Sequence, residues 1–307
     1  MAKSEVQQPR AIIDRRTLME RLDAVSRGRQ AAEGRAGVLA ALKDALASGR
    51  TEIRRRFDAN RDARTRGRDC AKAYAYLIDQ LVRTLYDFAY EHVYPNANPT
   101  AGERQSVVAT GGYGRGELAP QSDLDLLFLL SYKLTAHAEQ VVEYMLYMLW
   151  DLGLKVGHAT RSVDECIRMA KGDQVIRTAL LEARYLWGDA GLYRELRSRF
   201  RELSAAEGPV SVVEKKLAER DERHLKMGDS RYVVEPNIKD GKGGLRDLHT
   251  LYWIAKYIYQ LDDPADLVEK GVFTGREAAK FERALDFLTT VRCHLHYLAG
   301  RPEERLT

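Results

Sequence analysis

The spacing of apolar residues changes once along this chain, and the change separates two kinds of structure. Over the first hundred residues, apolar positions recur every three to four residues, as in amphipathic helices. One stripe of apolar residues on a predicted helix begins at Leu18, and a longer apolar stripe covers residues 74–88. Between them a stripe ends at Gly49, where we expect a helix to be capped. Residues 1–100 are therefore predicted to form an N-terminal helical segment.

From Ser106 the pattern is that of short strands. The β-branched run SVVAT is followed by a glycine-rich turn, and DLDLLFLL then alternates acids with leucines at the start of a second strand. Helical spacing over residues 141–152 and the segment LKVGHATRS complete a strand, turn, strand, helix, strand unit. We therefore predict a core over residues 101–165. Residues 166–307 are predicted to be mostly helical, with a glycine-rich basic loop at 236–247.

Composition narrows the classes of protein to which the chain can belong. Its 307 residues are 45% hydrophobic and 31% charged, which is typical of a soluble globular protein. A net charge of only +4 does not indicate a nucleic-acid-binding protein. The three cysteines show no CxxC spacing, which favours a reducing, cytoplasmic environment over a disulfide scaffold. No signal sequence and no membrane span is recognisable, so we expect a cytoplasmic protein with neither a nucleic acid nor a membrane as partner.

The candidate chemistry lies in the stretch ATGGYGRGELAPQSDLDLLFLL. Asp123 and Asp125 are two residues apart on a predicted strand, so both side chains point to one face and repel each other unless a cation lies between them. Mg²⁺ is the natural cation, because it is held by one or two carboxylates together with substrate phosphates. Gly111 and Gly112 end the preceding strand, and their missing Cβ atoms let a triphosphate approach the backbone. The pattern predicts a metal–triphosphate site, without the motif of a P-loop or of a dinucleotide-binding fold.

This spacing resembles the nucleotidyltransferase superfamily of DNA polymerase beta, whose signature is a hydrophobic residue and Gly-Gly or Gly-Ser, a spacer, then two acids alternating with hydrophobic residues. It resembles in particular the family of bacterial PII uridylyltransferase/uridylyl-removing enzymes. The resemblance is carried by GGYGRGELAPQSDLDLLFL, LGLKVGHATRSVDEC, EPNIKDGKGGLRDLHTLYWIAK and HYLAGRPEERLT, in the family's order. It implies an α+β fold, with a small mixed sheet as the nucleotidyltransferase core and extensive flanking helices.

The resemblance also implies a reaction and a set of site residues. UMP would be transferred from UTP to a tyrosine hydroxyl of a PII nitrogen-signalling protein, with release of pyrophosphate. Asp123 and Asp125 would be catalytic and would bind Mg²⁺, Gly111 and Gly112 would hold the nucleotide, and Ser122 would contact a phosphate. The family enzymes also contain an HD-type hydrolase domain and two ACT domains, neither of which is found in this sequence. We therefore expect a part of a longer protein, without uridylyl-removing activity or glutamine sensing.

Four basic residues are further candidates for nucleotide binding. Arg115 follows the glycine turn and is either a solvated loop charge or a group that neutralises the triphosphate. Lys239, Lys242 and Arg246 flank the glycines of the basic loop. This loop either only starts a helix or folds over the active site and contacts phosphate or the PII protein. His158, on the third predicted strand, is either a structural histidine or a base or phosphate contact.

One departure from the superfamily pattern leaves the function open at the sequence level. A third carboxylate is expected on the strand after the intervening helix, but LKVGHATRS contains none. Either Asp164 or Glu165, which follow it, bends into the site, or the site works with two acids and another ligand. Two alternatives to uridylyl transfer therefore stay open: an adenylyltransferase of the same superfamily, acting on glutamine synthetase, and a non-catalytic nucleotide-binding sensor module.

Overall fold

The computed structural model describes residues 6–27, 31–62, 65–230, 232–261 and 266–307, and only the backbone of residues 31–33. Its helices, in chain order, are α1 (Pro9–Ile12), α2 (Arg15–Ser26), α3 (Ala31–Ala59), α4 (Arg66–Phe88), α5 (Gly111–Gly114), α6 (Ala136–Asp151), α7 (Val163–Gly172), α8 (Gln174–Leu181), α9 (Ala190–Glu207), α10 (Val210–Lys226), α11 (Leu245–Tyr259), α12 (Asp266–Glu269) and α13 (Gly275–Ala299). The strands are β1 (Gln105–Ala109), β2 (Leu124–Leu130), β3 (Val156–Ser162) and β4 (Arg184–Gly188). A π-helical turn (Ala89–Val93) extends α4, and a short 3₁₀ turn (Ala101–Glu103) precedes β1.

The strands form one mixed sheet in the order β3-β2-β1-β4. β1 is antiparallel to both β2 and β4, and β2 is parallel to β3. This arrangement confirms the expected α+β fold with a small mixed sheet among many helices. β4, which lies beyond residues 101–165, was not anticipated from the sequence.

The sheet separates two apolar cores, because successive residues of a strand point to opposite faces. Leu124, Leu126 and Phe128 of β2 pack with helices α2, α3, α4 and α6 on what we call the N-terminal face. Leu127 and Leu129 pack with α7, α8, α9 and α11 on what we call the C-terminal face. Both sides of the sheet are therefore covered, which fixes β2 in the middle of the molecule.

Helix α3 does not end at Gly49, so the predicted cap at this residue is wrong. The helix continues to Ala59. A Cβ atom at Gly49 would lie 2.6 Å from Cδ1 of Leu77 on α4 and 3.0 Å from the carbonyl oxygen of Ile12. Glycine stands here because neighbouring segments approach the helix closely, and not because the helix stops.

Two expectations drawn from composition concern the cysteines and the membrane. Cys70, Cys166 and Cys293 are all buried and form no disulfide bond. In the part of the chain that the structure describes, no helix has both the length and the apolar character needed to cross a membrane.

Candidate active site

The two aspartates lie where β2 begins, on the C-terminal face of the sheet. Asp125 is the second residue of β2, and Asp123 directly precedes the strand. The Thr110 amide, between β1 and α5, donates a hydrogen bond to the carbonyl oxygen of Asp125 at 3.0 Å, which ties the glycine turn to the start of β2. Asp125 stays exposed to solvent, but desolvation by the surrounding protein and, next, the charge of Asp123 raise its pKa above the ordinary value. The two carboxylates are thus close enough to repel each other.

Two glycines flank the carboxylate of Asp125. Gly111 opens α5 with a φ of +57°, and a Cβ atom there would lie 2.7 Å from Oδ2 of Asp125. Gly157 of β3 is in register with Asp125, and a Cβ atom there would lie 2.9 Å from its Oδ1. A Cβ atom at Gly112 would make only ordinary contacts, the nearest at 3.5 Å from Arg115. The carboxylate of Asp125 therefore lies in a slot between Gly111 and Gly157, where an added Cβ atom would displace it; the sequence indicated only the first of these glycines.

Arg115 is held in a buried ion pair and is not a solvated loop charge. Its Nη1 donates to Oε1 of Glu182 at 2.6 Å, and its side chain is only 15% exposed. The indole Nε1 of Trp253 on α11 donates to the same oxygen. The charge of Glu182 also contributes to the raised pKa of Asp125, after burial and Asp123. Glu182, which belongs to no recognisable sequence motif, thus joins the glycine turn to α11 beside the two aspartates.

Ser122 precedes the two aspartates in the loop before β2. Its amide donates to the carbonyl oxygen of Ala119 at 3.0 Å. Its Oγ is shielded from solvent and has no hydrogen-bond partner among the described residues. A buried hydroxyl without a partner is costly, so this oxygen is available to a ligand.

The three basic residues of the glycine-rich loop point to different places. The charge of Lys239 acts on Asp125 and opposes the rise in its pKa caused by burial and Asp123. Lys242 instead contacts Oδ1 of Asp229 at 2.8 Å, in the turn after α10. The Nε of Arg246 lies 3.3 Å from Oδ1 of Asp240 within the loop.

A cluster of cationic side chains surrounds His249 on α11. Burial and, after it, the charges of Arg115, Arg246, Arg292 and Lys239 lower the pKa of His249 well below its ordinary value. The imidazole is therefore neutral at neutral pH. Neither His249 nor Arg292 was singled out in the sequence, although His249 lies in a segment that carries the family resemblance. These cations come from three parts of the chain: the turn after α5, the glycine-rich loop together with the start of α11, and helix α13.

Comparison with known proteins shows the family to which the chain belongs. Residues 97–186 match the family model of the nucleotidyltransferase domain, and residues 211–307 match that of the GlnD PII-uridylyltransferase. A protein of Rhodospirillum rubrum is 60% identical over 100% of this chain and 33% of its own length. One of Azospirillum brasilense is 58% identical over 97% of this chain and 32% of its own length. Both are named bifunctional uridylyltransferase/uridylyl-removing enzymes.

The chain belongs to the family of bifunctional uridylyltransferase/uridylyl-removing enzymes. It spans about a third of the length of the curated relatives that it matches. The nucleotidyltransferase match contains the strands β1, β2 and β3, the glycine turn and both aspartates, so the family assignment and the geometry concern the same residues.

In this family member, neither Asp164 nor Glu165 supplies a third carboxylate. Asp164 lies 2.5 Å from Nη1 of Arg199, and Glu165 accepts a hydrogen bond from the Ser162 amide at 2.8 Å to cap α7. Both acids follow the end of β3, whereas Asp125 lies near the start of the parallel strand β2. Within the described ranges, no group of three or more His, Cys, Asp or Glu side chains is arranged to hold a metal ion. Neither acid therefore fills the place of the third carboxylate that the superfamily pattern leads one to expect.

His158 lies on the N-terminal face of the sheet, opposite to the face that carries the aspartates. It is in register with Leu126, whose side chain points to the N-terminal face. Its ring is exposed and packs edge-to-face against Trp150 of α6, with the ring centroids 6.0 Å apart. This placement favours the structural reading of His158 over a base or phosphate contact.

Proposed function

We propose that this chain transfers UMP from UTP to a tyrosine hydroxyl of a PII signalling protein and releases pyrophosphate, in a reaction that depends on Mg²⁺. The observation that carries the proposal is the pair Asp123 and Asp125 at the start of β2, with the carboxylate of Asp125 against Gly111 and subject to the charges of Asp123 and Lys239. The uridylyl group is the one in the names of the relatives, and PII is the acceptor in the name of the family model that matches residues 211–307.

The donor set fits a hard divalent cation. Two carboxylates that repel each other favour a cation between them, and Mg²⁺ commonly takes one or two carboxylates and completes its shell with water and substrate phosphates. Asp123 and Asp125 would hold the ion, and the unpartnered Oγ of Ser122 is positioned to contact a phosphate oxygen. When bound, Mg²⁺ would neutralise charge on the phosphates of the nucleotide.

The remaining residues bind and orient the nucleotide. Lys239, Arg246 and Arg292 would neutralise the triphosphate, while Gly111 allows its close approach to the backbone. Arg115, held by Glu182, fixes the turn after α5. The tyrosine oxygen forms a bond to the α-phosphorus as the bond from this phosphorus to the bridging oxygen breaks. The hydroxyl proton is lost and pyrophosphate leaves.

The reaction is tested with full-length protein, purified PII protein and UTP or ATP labelled in the α-phosphate. We expect labelled PII and released pyrophosphate with UTP only. Labelling by ATP would favour the adenylyltransferase alternative. Binding of UTP without pyrophosphate release would favour the non-catalytic sensor and contradict the proposal.

The two aspartates are tested by Asp123→Asn and Asp125→Asn. Each change should reduce transfer at least about 10³-fold, because a neutral amide holds a divalent cation weakly. The matched control is Asp164→Asn, whose carboxylate contacts Arg199 at the far end of the sheet, and its transfer rate should stay within about twofold of wild type. Thermal unfolding of all three variants checks the fold. Retained transfer in either active-site variant would refute the roles given to this pair.

A further inference from the structure

The last residues of the chain pair with the glycine-rich basic loop. The Ile238 amide donates to the carbonyl oxygen of Glu304 at 2.9 Å, and the Leu306 amide donates to that of Pro236 at 3.1 Å. Asn237, between them, forms an antiparallel bridge with the same C-terminal segment. The start of the loop, just before Lys239, is thereby held by backbone hydrogen bonds.

The side chain of Glu304 lies at the centre of a charged network. Its carboxylate accepts bonds from Nε of Arg292 at 2.9 and 3.0 Å and from Nη2 at 2.7 Å, and it is 14% exposed. Its Oε1 lies 3.7 Å from Nζ of Lys239 and 3.6 Å from Nε2 of His296. Burial alone would raise the pKa of Glu304, but these neighbours lower it to about 2. Glu304 is therefore ionised at neutral pH.

His296 connects this network to the loop that leads to the aspartates. It is fully buried on α13, and its Nδ1 accepts a hydrogen bond from the Gln121 amide at 3.1 Å. Because Nδ1 accepts, the neutral ring carries its proton on Nε2. Nε2 has no hydrogen-bond partner among the described residues and lies 3.6 Å from Oε1 of Glu304, so the link between the two side chains is an electrostatic contact. Gln121 is two residues ahead of Asp123, so the position of this ring bears on the aspartates.

We propose that Glu304 is a positioning residue of the active site, which holds Lys239 beside Asp125 and, through His296, holds the loop that leads to Asp123. The inference rests on the proposed function, since it assigns Lys239 to the nucleotide. Glu304 acts through these two side chains and not by touching the reacting atoms. A positioning role predicts that loss of Glu304 weakens UTP binding. A purely electrostatic role predicts the opposite, because removing a negative charge beside bound triphosphate would strengthen its binding.

The test compares Glu304→Gln with Glu303→Gln in the full-length protein. Glu303 is the adjacent acid, and its carboxylate contacts Arg301, which is 72% exposed. Its Oε1 also accepts hydrogen bonds from the Glu304 and Arg305 amides, which the amide oxygen of glutamine can still accept. Glu304→Gln should weaken UTP binding and raise the KM for UTP by about tenfold, because a buried charged hydrogen-bond partner is lost. Glu303→Gln should change neither by more than about twofold. In a Lys239→Met background, Glu304→Gln should raise the KM for UTP by less than it does in the wild type, because only the contribution through His296 remains, whereas a merely structural role would give additive losses. An unchanged or lowered KM in Glu304→Gln would overturn the inference.

Hydrogen exchange provides a readout that does not need activity. Glu304→Gln should speed amide exchange over residues 236–246 and 119–123, and Glu303→Gln should not. A wild-type protein that fails to label PII would refute the proposed function, while the exchange result would still decide the role of Glu304. Labelling by wild type together with identical behaviour of the two variants would overturn only the inference. Should Glu304→Gln unfold, Glu304→Asp carries the same prediction, since it keeps the charge but shortens the reach to Lys239.

Discussion

The two faces of the sheet use the same strand for different purposes. On the N-terminal face, Leu124, Leu126 and Phe128 are each no more than 2% exposed and pack among helices from the first half of the chain. On the C-terminal face, the residue between the first two of these is Asp125, whose carboxylate is subject to the charge of Asp123 and lies in a slot between two glycines. Because side chains alternate along the strand, residues of the apolar core and a residue of the candidate active site are neighbours in the sequence.

The difference between the faces also concerns stability. The apolar face gains free energy of folding by removing side chains from water. At the start of β2, the other face brings together two carboxylates, and burial and Asp123 raise the pKa of Asp125. A raised carboxylate pKa means that the folded state disfavours the charged form, so at neutral pH Asp125 opposes folding. The stability of the apolar face thus supports a site that is itself unfavourable without its ligands.

The largest effect on stability is expected at Leu126. Leu126→Ala removes a side chain that is 2% exposed, and should lower the free energy of unfolding by about 2–5 kcal/mol. Asp125→Asn, one residue away, should leave it unchanged or raise it, because a repelling charge is removed. Urea unfolding at neutral pH measures both. If Asp125→Asn lowered the free energy of unfolding as much as Leu126→Ala, both faces would contribute to stability and the proposed difference between them would be wrong.

A smaller effect, on activity, is expected at Gly111. Gly111→Ala introduces a Cβ atom 2.7 Å from the Asp125 carboxylate and should reduce transfer by roughly 10²-fold through displacement of this side chain. Gly153→Ala is the matched control, because Gly153 also has a positive φ, +76°, but nothing lies within 4 Å of its added Cβ. Both changes carry the same backbone strain, of about 1–2 kcal/mol. Equal transfer by the two variants would remove the argument for the slot.

Local patterns in the sequence were sufficient for most elements of the fold. The long helix α4, the helix α6 and the strands β1, β2 and β3 follow from periodicity and turn residues. β4 was missed because its five residues gain strand character from pairing with β1, about eighty residues earlier in the chain. Gly49 was misread because the close approach of Leu77 is not visible in the local sequence.

For the active site, the sequence indicated the residues that lie close together in the chain. Asp123, Asp125 and Gly111 form one motif, and alternation on a strand was enough to expect both acids on one face. Which basic residue of the glycine-rich loop reaches the acids depends on the turns of that loop and on Asp229, which pairs with Lys242. Glu182 and Glu304 come from distant segments, and only the folded chain shows that they approach the site.

The smallest effects on activity are expected at two histidines, His249 and His158, which lie on opposite faces of the sheet. His249→Gln should raise the KM for UTP roughly three- to tenfold. The neutral ring lies among the cations proposed to bind the triphosphate, and its replacement would alter their arrangement. His158→Gln should leave kcat/KM for UTP within about twofold, because its exposed ring contacts Trp150 on the N-terminal face. The two changes are matched in chemistry and differ in the face that they alter. A tenfold loss of kcat/KM in His158→Gln would place catalytic chemistry on the N-terminal face and contradict the division between the faces. A loss of kcat/KM in His249→Gln alone is the expected result, because alternation along β2 puts the aspartates on the C-terminal face.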